Sequence, residues 1–275
     1  MSVLPRPSPA RSYEEYFVPA IFDPLTSHVL QAAPPRPGER VLDLACGTGI
    51  VARRVAPLVG PTGTLVGVDA NPDMIEVARE SSATGGPLIE FRHGDAQALD
   101  LPDGAFDRVI CQQGLQFLAD PEVALRELRR VLDTGGIAVL AVWQGLERHP
   151  LYAALARAEA PHLTAFGLPV TMDDLTAPFS LGDAAQLCAL LAEAGFREVD
   201  DTEASITARF PSPDEFVKRL EYAYAAVVPA FVEAPELFTR YLEAITAETA
   251  DLVEAHRDGD HVVVPMHTNI VTAHT

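Results

Sequence analysis

From residue 40 to about 143 the chain alternates short apolar runs with amphipathic stretches. Arg40–Ala45, Thr64–Asp69, Leu88–His93, Phe106–Cys111 and Ile137–Trp143 are rich in β-branched and aliphatic residues and bounded by Gly, Pro or Asp, as strands are. Between them apolar residues recur at helical spacing. Met74, Ile75 and Ala78 follow Asn71-Pro72, which supplies an N-cap and a first-turn proline. Leu125, Leu128 and Leu132 share one face of Pro121–Leu132, with Arg126, Arg129 and Arg130 off it. Gly135-Gly136 is expected to end that helix and turn into the next strand. This alternation predicts a parallel sheet covered by helices on both faces.

Beyond Trp143 the pattern loosens. Ala-rich stretches over 144–180 are expected to be broken at Pro150, Pro161, Pro169 and Pro178. Leu187, Leu190, Leu191 and Ala194 mark a helix ended by Gly195, and Phe196–Phe210 reads as an extended strand. Ser212-Pro213-Asp214-Glu215 has the form of a capping box, so a helix is expected to start there. Another runs from about Pro235 to His256, and His261–Thr275 reads as a last strand. The expected organisation is an N-terminal helical arm (1–35), a core (36–146), a helical insertion (147–182), a core helix and strand (183–210), a second insertion (211–258) and a final core strand (259–275).

Composition narrows the function. Of 275 residues, 39 are acidic and 20 basic, a formal net charge of −19, and no basic run interrupts the excess. Binding nucleic acid depends on neutralising phosphates with Lys and Arg, so no nucleic-acid partner is expected. Cys46, Cys111 and Cys188 are too scattered for a thiolate zinc site or a disulfide framework. Lysine occurs once, at Lys218, which disfavours Schiff-base chemistry. The proline-rich Met1–Arg11 lacks the apolar core of a signal peptide, and no apolar run approaches the ~20 residues that cross a bilayer. The expectation is a cytoplasmic protein with no membrane partner.

The most informative segment is Val41-Leu42-Asp43-Leu44-Ala45-Cys46-Gly47-Thr48-Gly49-Ile50-Val51-Ala52. A strand ends in a carboxylate, turns through glycines and enters a helix. Gly47 and Gly49 let backbone come close to a ligand. Gly47-x-Gly49-x-x-Ala52 also satisfies the loose dinucleotide fingerprint, so an NAD-dependent oxidoreductase is the alternative. Asp43 weighs against it, because a carboxylate beside the turn repels a pyrophosphate and suits an ammonium. The next strand ends in Asp69, where a carboxylate can accept both hydroxyls of a ribose. Gly94-Asp95-Ala96, at the end of the third, is placed for an adenine amino group.

These pieces, with Gly67-Val68-Asp69-Ala70-Asn71-Pro72-Asp73-Met74, Gly94-Asp95-Ala96-Gln97-Ala98-Leu99, Phe106-Asp107-Arg108-Val109-Ile110-Cys111 and Arg126-Glu127-Leu128-Arg129-Arg130-Val131-Leu132, stand in a familiar order. The sequence resembles the class I S-adenosylmethionine-dependent methyltransferases, in particular the small-molecule group related to quinone-biosynthesis (UbiE-like) enzymes. The resemblance is close over about residues 36–145. It implies a three-layer, Rossmann-like, mostly parallel seven-stranded sheet with helical lid insertions, and S-adenosyl-L-methionine as cofactor. It puts Asp43 near the amino group, Gly47 beside the methionine portion, Asp69 on the ribose, Ala70 and Met74 along the adenosine, and Asp95 and Ala96 at the adenine. Gln112 and Gln113 would lie under the methionine and the transferred methyl. An aromatic of the arm often closes the pocket in this group, which points to Tyr13, Tyr16 or Phe17. The family usually has glycine where Ala45 stands.

Methyl transfer from a sulfonium is an in-line displacement, so alignment and exclusion of water are the main demands. A base is needed only for an acceptor that arrives protonated, and His149, just beyond Trp143, is the histidine chosen for it. Gln112, Gln113 and Gln116 lie at the same sheet edge. No metal is expected, since His261 and His267 on one strand stand ~20 Å apart. The expected partner is a small apolar or aromatic methyl acceptor of secondary metabolism, taken up by a monomer or homodimer. Phe166, Phe179, Phe216, Tyr222, Tyr224 and Phe231 supply apolar surface in the insertions. A fold that keeps the cofactor without transferring a methyl is the third reading.

Overall fold

Helix starts follow the local chemistry read from the sequence. In the computed structural model, which describes residues 8–82, 89–168, 170–225 and 235–275, α1 (Pro9–Phe17) is capped by Ser8 and leads through a wider turn into α2 (Asp23–Ala32). Leu88, Pro169, Phe231 and the start of Met1–Arg11 lie outside the described residues. The alternating region comprises β1 (Arg40–Leu44), α3 (Ile50–Val59), β2 (Thr64–Asp69), α4 (Pro72–Ser81), β3 (Ile89–His93), β4 (Phe106–Gln112), α5 (Pro121–Val131) and β5 (Leu132–Trp143). Asn71 caps α4 as its sequence predicts, accepting from the N–H groups of Asp73 and Met74. Then come α6 (Pro150–Phe166), α7 (Met172–Thr176), α8 (Ala184–Glu193), β6 (Arg197–Pro211), α9 (Phe216–Tyr224), α10 (Pro235–Glu248), α11 (Ala250–Glu254), β7 (Arg257–Asp258) and β8 (His261–His274).

The strands run in the order β3-β2-β1-β4-β5-β8-β6. The pairs among β1 to β5 are parallel and β8 lies antiparallel to β5. The seven-strand, mostly parallel sheet is thus as expected, and a two-residue eighth strand, β7, joins β8. By contacts the chain forms two compact units. One holds Met1–Phe22, His149–Thr176 and Thr207–Pro265, and the other Asp23–Arg148, Ala177–Ile206 and Met266–Thr275.

In the sheet unit, Leu42, Leu44, Val109, Leu140 and Val142 pack with Leu125 and Leu128 of α5 and with Leu187 and Leu191 of α8. Each such leucine contributes about 2 kcal/mol by leaving water. Charged groups brace the opposite end of the strands from the one that carries the glycine turn. Arg40 bridges Asp107 and Asp133, and its guanidinium holds the Asp107 carboxyl below the usual range. Arg108, 1% exposed, is paired with Glu39 at 2.9 Å and also donates to the Ala33 carbonyl.

In the helical unit Tyr16 is buried against Phe210, which packs on Phe216, and the Tyr16 hydroxyl donates to the Pro211 carbonyl. Glu159 and Glu221 are buried together, and the Tyr241 hydroxyl donates to Glu221 at 3.4 Å. Burial pushes Glu159 up to about 7 and Glu221 further in the same direction, so the pair holds a proton at neutral pH.

Three local expectations are corrected. Gly135-Gly136 does not end α5, because β5 begins at Leu132. The glycines instead form a bulge between the Phe106↔Leu132 and Arg108↔Ile137 pairings, with Gly135 at φ +79°. Pro161 does not break α6, whose buried Leu151, Leu155 and Leu163 hold the helix across it. Ser212 does not cap a helix with its side chain. It sits at φ +62°, and a single tight turn over Pro213–Glu215 precedes α9.

Candidate active site

The turn after β1 is wound by its own backbone. Ala45, Gly47 and Gly49 have φ of +53°, +52° and +85°, so three left-handed residues alternate with Cys46 and Thr48. Alanine at the first of these accepts a strain that glycine would not feel, of about 1 kcal/mol. The turn is closed by the Gly49 N–H donating to the Cys46 carbonyl and anchored by the Cys46 N–H donating to the Val68 carbonyl. Gly49 and Gly67 serve packing. A Cβ on either would lie within 2.7 Å of the Phe91 ring, which is wedged beneath both.

Two carboxylates hold this turn. Asp43, 1% exposed, accepts from the Ala52 N–H at 2.9 Å, capping the first turn of α3 from the neighbouring strand. Asp69 accepts from the Gly47 N–H at 2.7 Å with one oxygen and from the Asn71 N–H at 2.8 Å with the other. Each oxygen of Asp69 keeps a second lone pair for a ligand. Burial, reinforced by the nearby Asp69 charge, pushes Asp43 up to about 8, and burial also raises Asp69. A buried carboxyl, Asp43, beside a half-buried one, Asp69, forms an environment that a cation would stabilise.

The remaining strand ends complete the same edge. The Gly94 N–H donates to the Asp69 carbonyl, and the His93 imidazole bonds the Ala70 carbonyl. Asp95 is exposed and accepts from the Gln97 N–H, while Ala96 and Met74 are buried. Gln112 and Gln113 are 8% and 7% exposed, with Gln113 at φ +57°. Beyond them Gly114 lies against the turn, where a Cβ would stand 2.4 Å from the Ala45 Cβ.

The sheet unit therefore brings together Asp43, Ala45, Gly47, Gly49, Asp69, Ala70, Met74, Gly94, Asp95, Ala96, Gln112 and Gln113. Tyr16 and His149 belong to the helical unit, where Tyr16 joins the aromatic cluster and His149, wholly buried, precedes α6. Sequence reasoning passed over Thr48, whose hydroxyl oxygen is buried in the turn with no hydrogen-bond partner among the described residues. It also passed over Gly114, which a lone glycine immediately after a strand could have flagged. The Thr48 hydroxyl, the two neighbouring carboxyl groups and the left-handed turn fit a polar ligand that carries positive charge.

Comparison with known proteins agrees with this geometry. A methyltransferase-domain family model matches residues 41–136. An uncharacterized 37.1 kDa protein of transposon TN4556 from Streptomyces fradiae is 38% identical over 140 residues, half of this chain. The chain spans only 40% of that relative's length. The ubiquinone/menaquinone biosynthesis C-methyltransferase UbiE of Coxiella burnetii is 32% identical over 173 residues, 60% of this chain and 69% of the relative. In fold the chain is similar to phosphoethanolamine N-methyltransferase 2 of Haemonchus contortus in complex with S-adenosyl-L-methionine, with a TM-score of 0.59 and 16% identity over 97% of this chain and 56% of that one. With its ordered strand-end motifs, this chain belongs to the class I S-adenosylmethionine-dependent methyltransferases, in their UbiE-like group.

Proposed function

We propose that the protein methylates a small apolar or aromatic acceptor of the quinol type, with the strand-end carboxylates holding the cofactor. The observation that carries this reading is the pair of carboxyl groups, buried Asp43 and half-buried Asp69, that hold the left-handed turn by hydrogen bonds. The acceptor class is supported by the name of the Coxiella relative, an enzyme of ubiquinone and menaquinone biosynthesis. When bound, S-adenosylmethionine supplies a methyl group made electrophilic by its sulfonium.

The chain's residues would then divide the work. Asp69 uses its free lone pairs on the ribose hydroxyls, and Asp43 supplies negative charge for the amino-acid portion. The Thr48 hydroxyl offers one further hydrogen bond. Alignment supplies most of the rate in a displacement of this kind, so rigidity of the turn matters more than proton chemistry.

Calorimetry with S-adenosylhomocysteine tests the proposal. The unmodified protein should bind it and should not bind NADH. Asp69→Ala should weaken it by about tenfold or more, since a hydrogen bond to a charged group contributes about 1.5–3 kcal/mol. Equal affinity in that variant would remove Asp69 from the ribose. Gly114→Ala should weaken binding through the turn alone. Its methyl must displace Ala45, an overpacking cost of about 1–3 kcal/mol, and the measurement is S-adenosylhomocysteine affinity beside melting temperature.

A further inference from the structure

A row of buried polar side chains crosses the sheet edge beside the turn. The Thr268 hydroxyl lies 2.8 Å from the Val142 carbonyl and 3.4 Å from the carbonyl of Asn269. Both are pure acceptors, so the hydroxyl proton must be donated to a carbonyl. The Thr268 oxygen is then left as an acceptor, and the Gln113 amide nitrogen donates to it at 3.1 Å. That choice turns the Gln113 amide oxygen toward Gln116, whose amide nitrogen donates to it at 2.8 Å. Each step fixes the next, and no amide can be reversed without setting two acceptors or two donors face to face.

The row ends in an acceptor with nothing to accept. Gln116 is 6% exposed, and its Oε1 is buried with no hydrogen-bond partner among the described residues. An orphan acceptor at that depth is costly, and a site of this kind selects for the ligand that satisfies it. Gln116 sits in the short turn Leu115–Phe117 that directly follows Gly114, the glycine packed on Ala45.

We propose that Gln116 Oε1, oriented through Gln113 by Thr268, is a recognition point for a ligand N–H or O–H donor at the active site. The inference rests on the proposed methyltransferase function. Two groups present such a donor: a hydroxyl of the methyl acceptor, and the ammonium of the cofactor's amino-acid portion. Gln116 is a specificity residue in either case, and an ether or carbonyl in the donor's place leaves the amide oxygen unsatisfied.

The test uses Gln116→Met, which keeps the length and removes the amide. One arm measures S-adenosylhomocysteine by calorimetry. The other compares 2-naphthol with 2-methoxynaphthalene, which lacks the O–H, by quenching of the chain's single tryptophan, Trp143, in the presence of S-adenosylhomocysteine. Loss of a naphthol preference of roughly tenfold, with S-adenosylhomocysteine affinity kept, supports the inference and names the acceptor hydroxyl. A roughly tenfold loss of S-adenosylhomocysteine affinity supports it and names the ammonium. If both quantities match the unmodified protein, the inference is overturned. Should Gln116→Met not fold, Gln116→Asn, which withdraws the oxygen by one methylene, is read by the same two arms. Failure of the unmodified protein to bind S-adenosylhomocysteine would instead overturn the methyltransferase reading itself.

Discussion

Asp43→Asn should make the protein more stable at pH 8 while weakening its hold on the cofactor. The Asp43 carboxyl is buried and pushed up to about 8 in the folded chain, against an ordinary value of 3.8. Between those values the unfolded chain releases this proton and the folded chain keeps it. The folded state therefore binds more protons, and stability falls as pH rises from about 4 until it levels off above about 8. Across that window the loss is roughly 5 kcal/mol at 1.36 kcal/mol per pH unit. Asparagine abolishes the titration and can still accept from the Ala52 N–H, at the cost of an amide nitrogen needing a partner, about 1–3 kcal/mol. A net gain of about 2 kcal/mol at pH 8 is expected, read by urea denaturation at pH 5 and pH 8.

Binding should move the other way. A cationic amino-acid portion favours ionised Asp43, so below about pH 8 binding must expel its proton. S-adenosylhomocysteine affinity should climb with pH, by up to about tenfold per unit, and flatten above 8. In Asp43→Asn the affinity should be lower by about tenfold or more and show no such slope between pH 6 and 8.5. A variant that kept both the affinity and the slope would place the cation elsewhere.

Glu39→Ala should be the most damaging single change at the other end of the sheet. It removes the carboxylate from Arg108, which is 1% exposed and, among the described residues, would keep the Ala33 carbonyl as its hydrogen-bond acceptor. A buried charge left without its partner costs about 3–5 kcal/mol. For a chain of this length that lowers the melting temperature by roughly 10 °C. Adding Arg108→Met should recover most of the loss, because the desolvated charge disappears with its partner. The two single variants and the double variant form a cycle. A cost below about 1 kcal/mol for Glu39→Ala alone would show that Arg108 reaches water or another acceptor.

Sequence and tertiary structure determine different parts of this protein. The seven-strand sheet and the methyltransferase family were implied by the resemblance of the ordered motifs, whereas the alternation of strands and helices and the Asn71 cap were legible along the chain itself. So was the placing of Asp43, Asp69 and Asp95 at the carboxyl ends of β1, β2 and just past β3. Each depends on residues close in sequence, whose periodicity and turn chemistry act before distant contacts form. Other features belong to the folded molecule alone. Phe91 beneath Gly49 and Gly67 shows that these glycines make room for a ring as well as a turn. Pro161 stays helical because packing outweighs its missing N–H, and Ser212 loses its capping role to a left-handed backbone. The direction of the Gln113–Gln116 amides is set by Thr268, 155 residues away from Gln113 along the chain. Which carboxyl keeps a proton, and which amide oxygen is left without one to accept, depends on burial and on partners that only the closed sheet brings within reach.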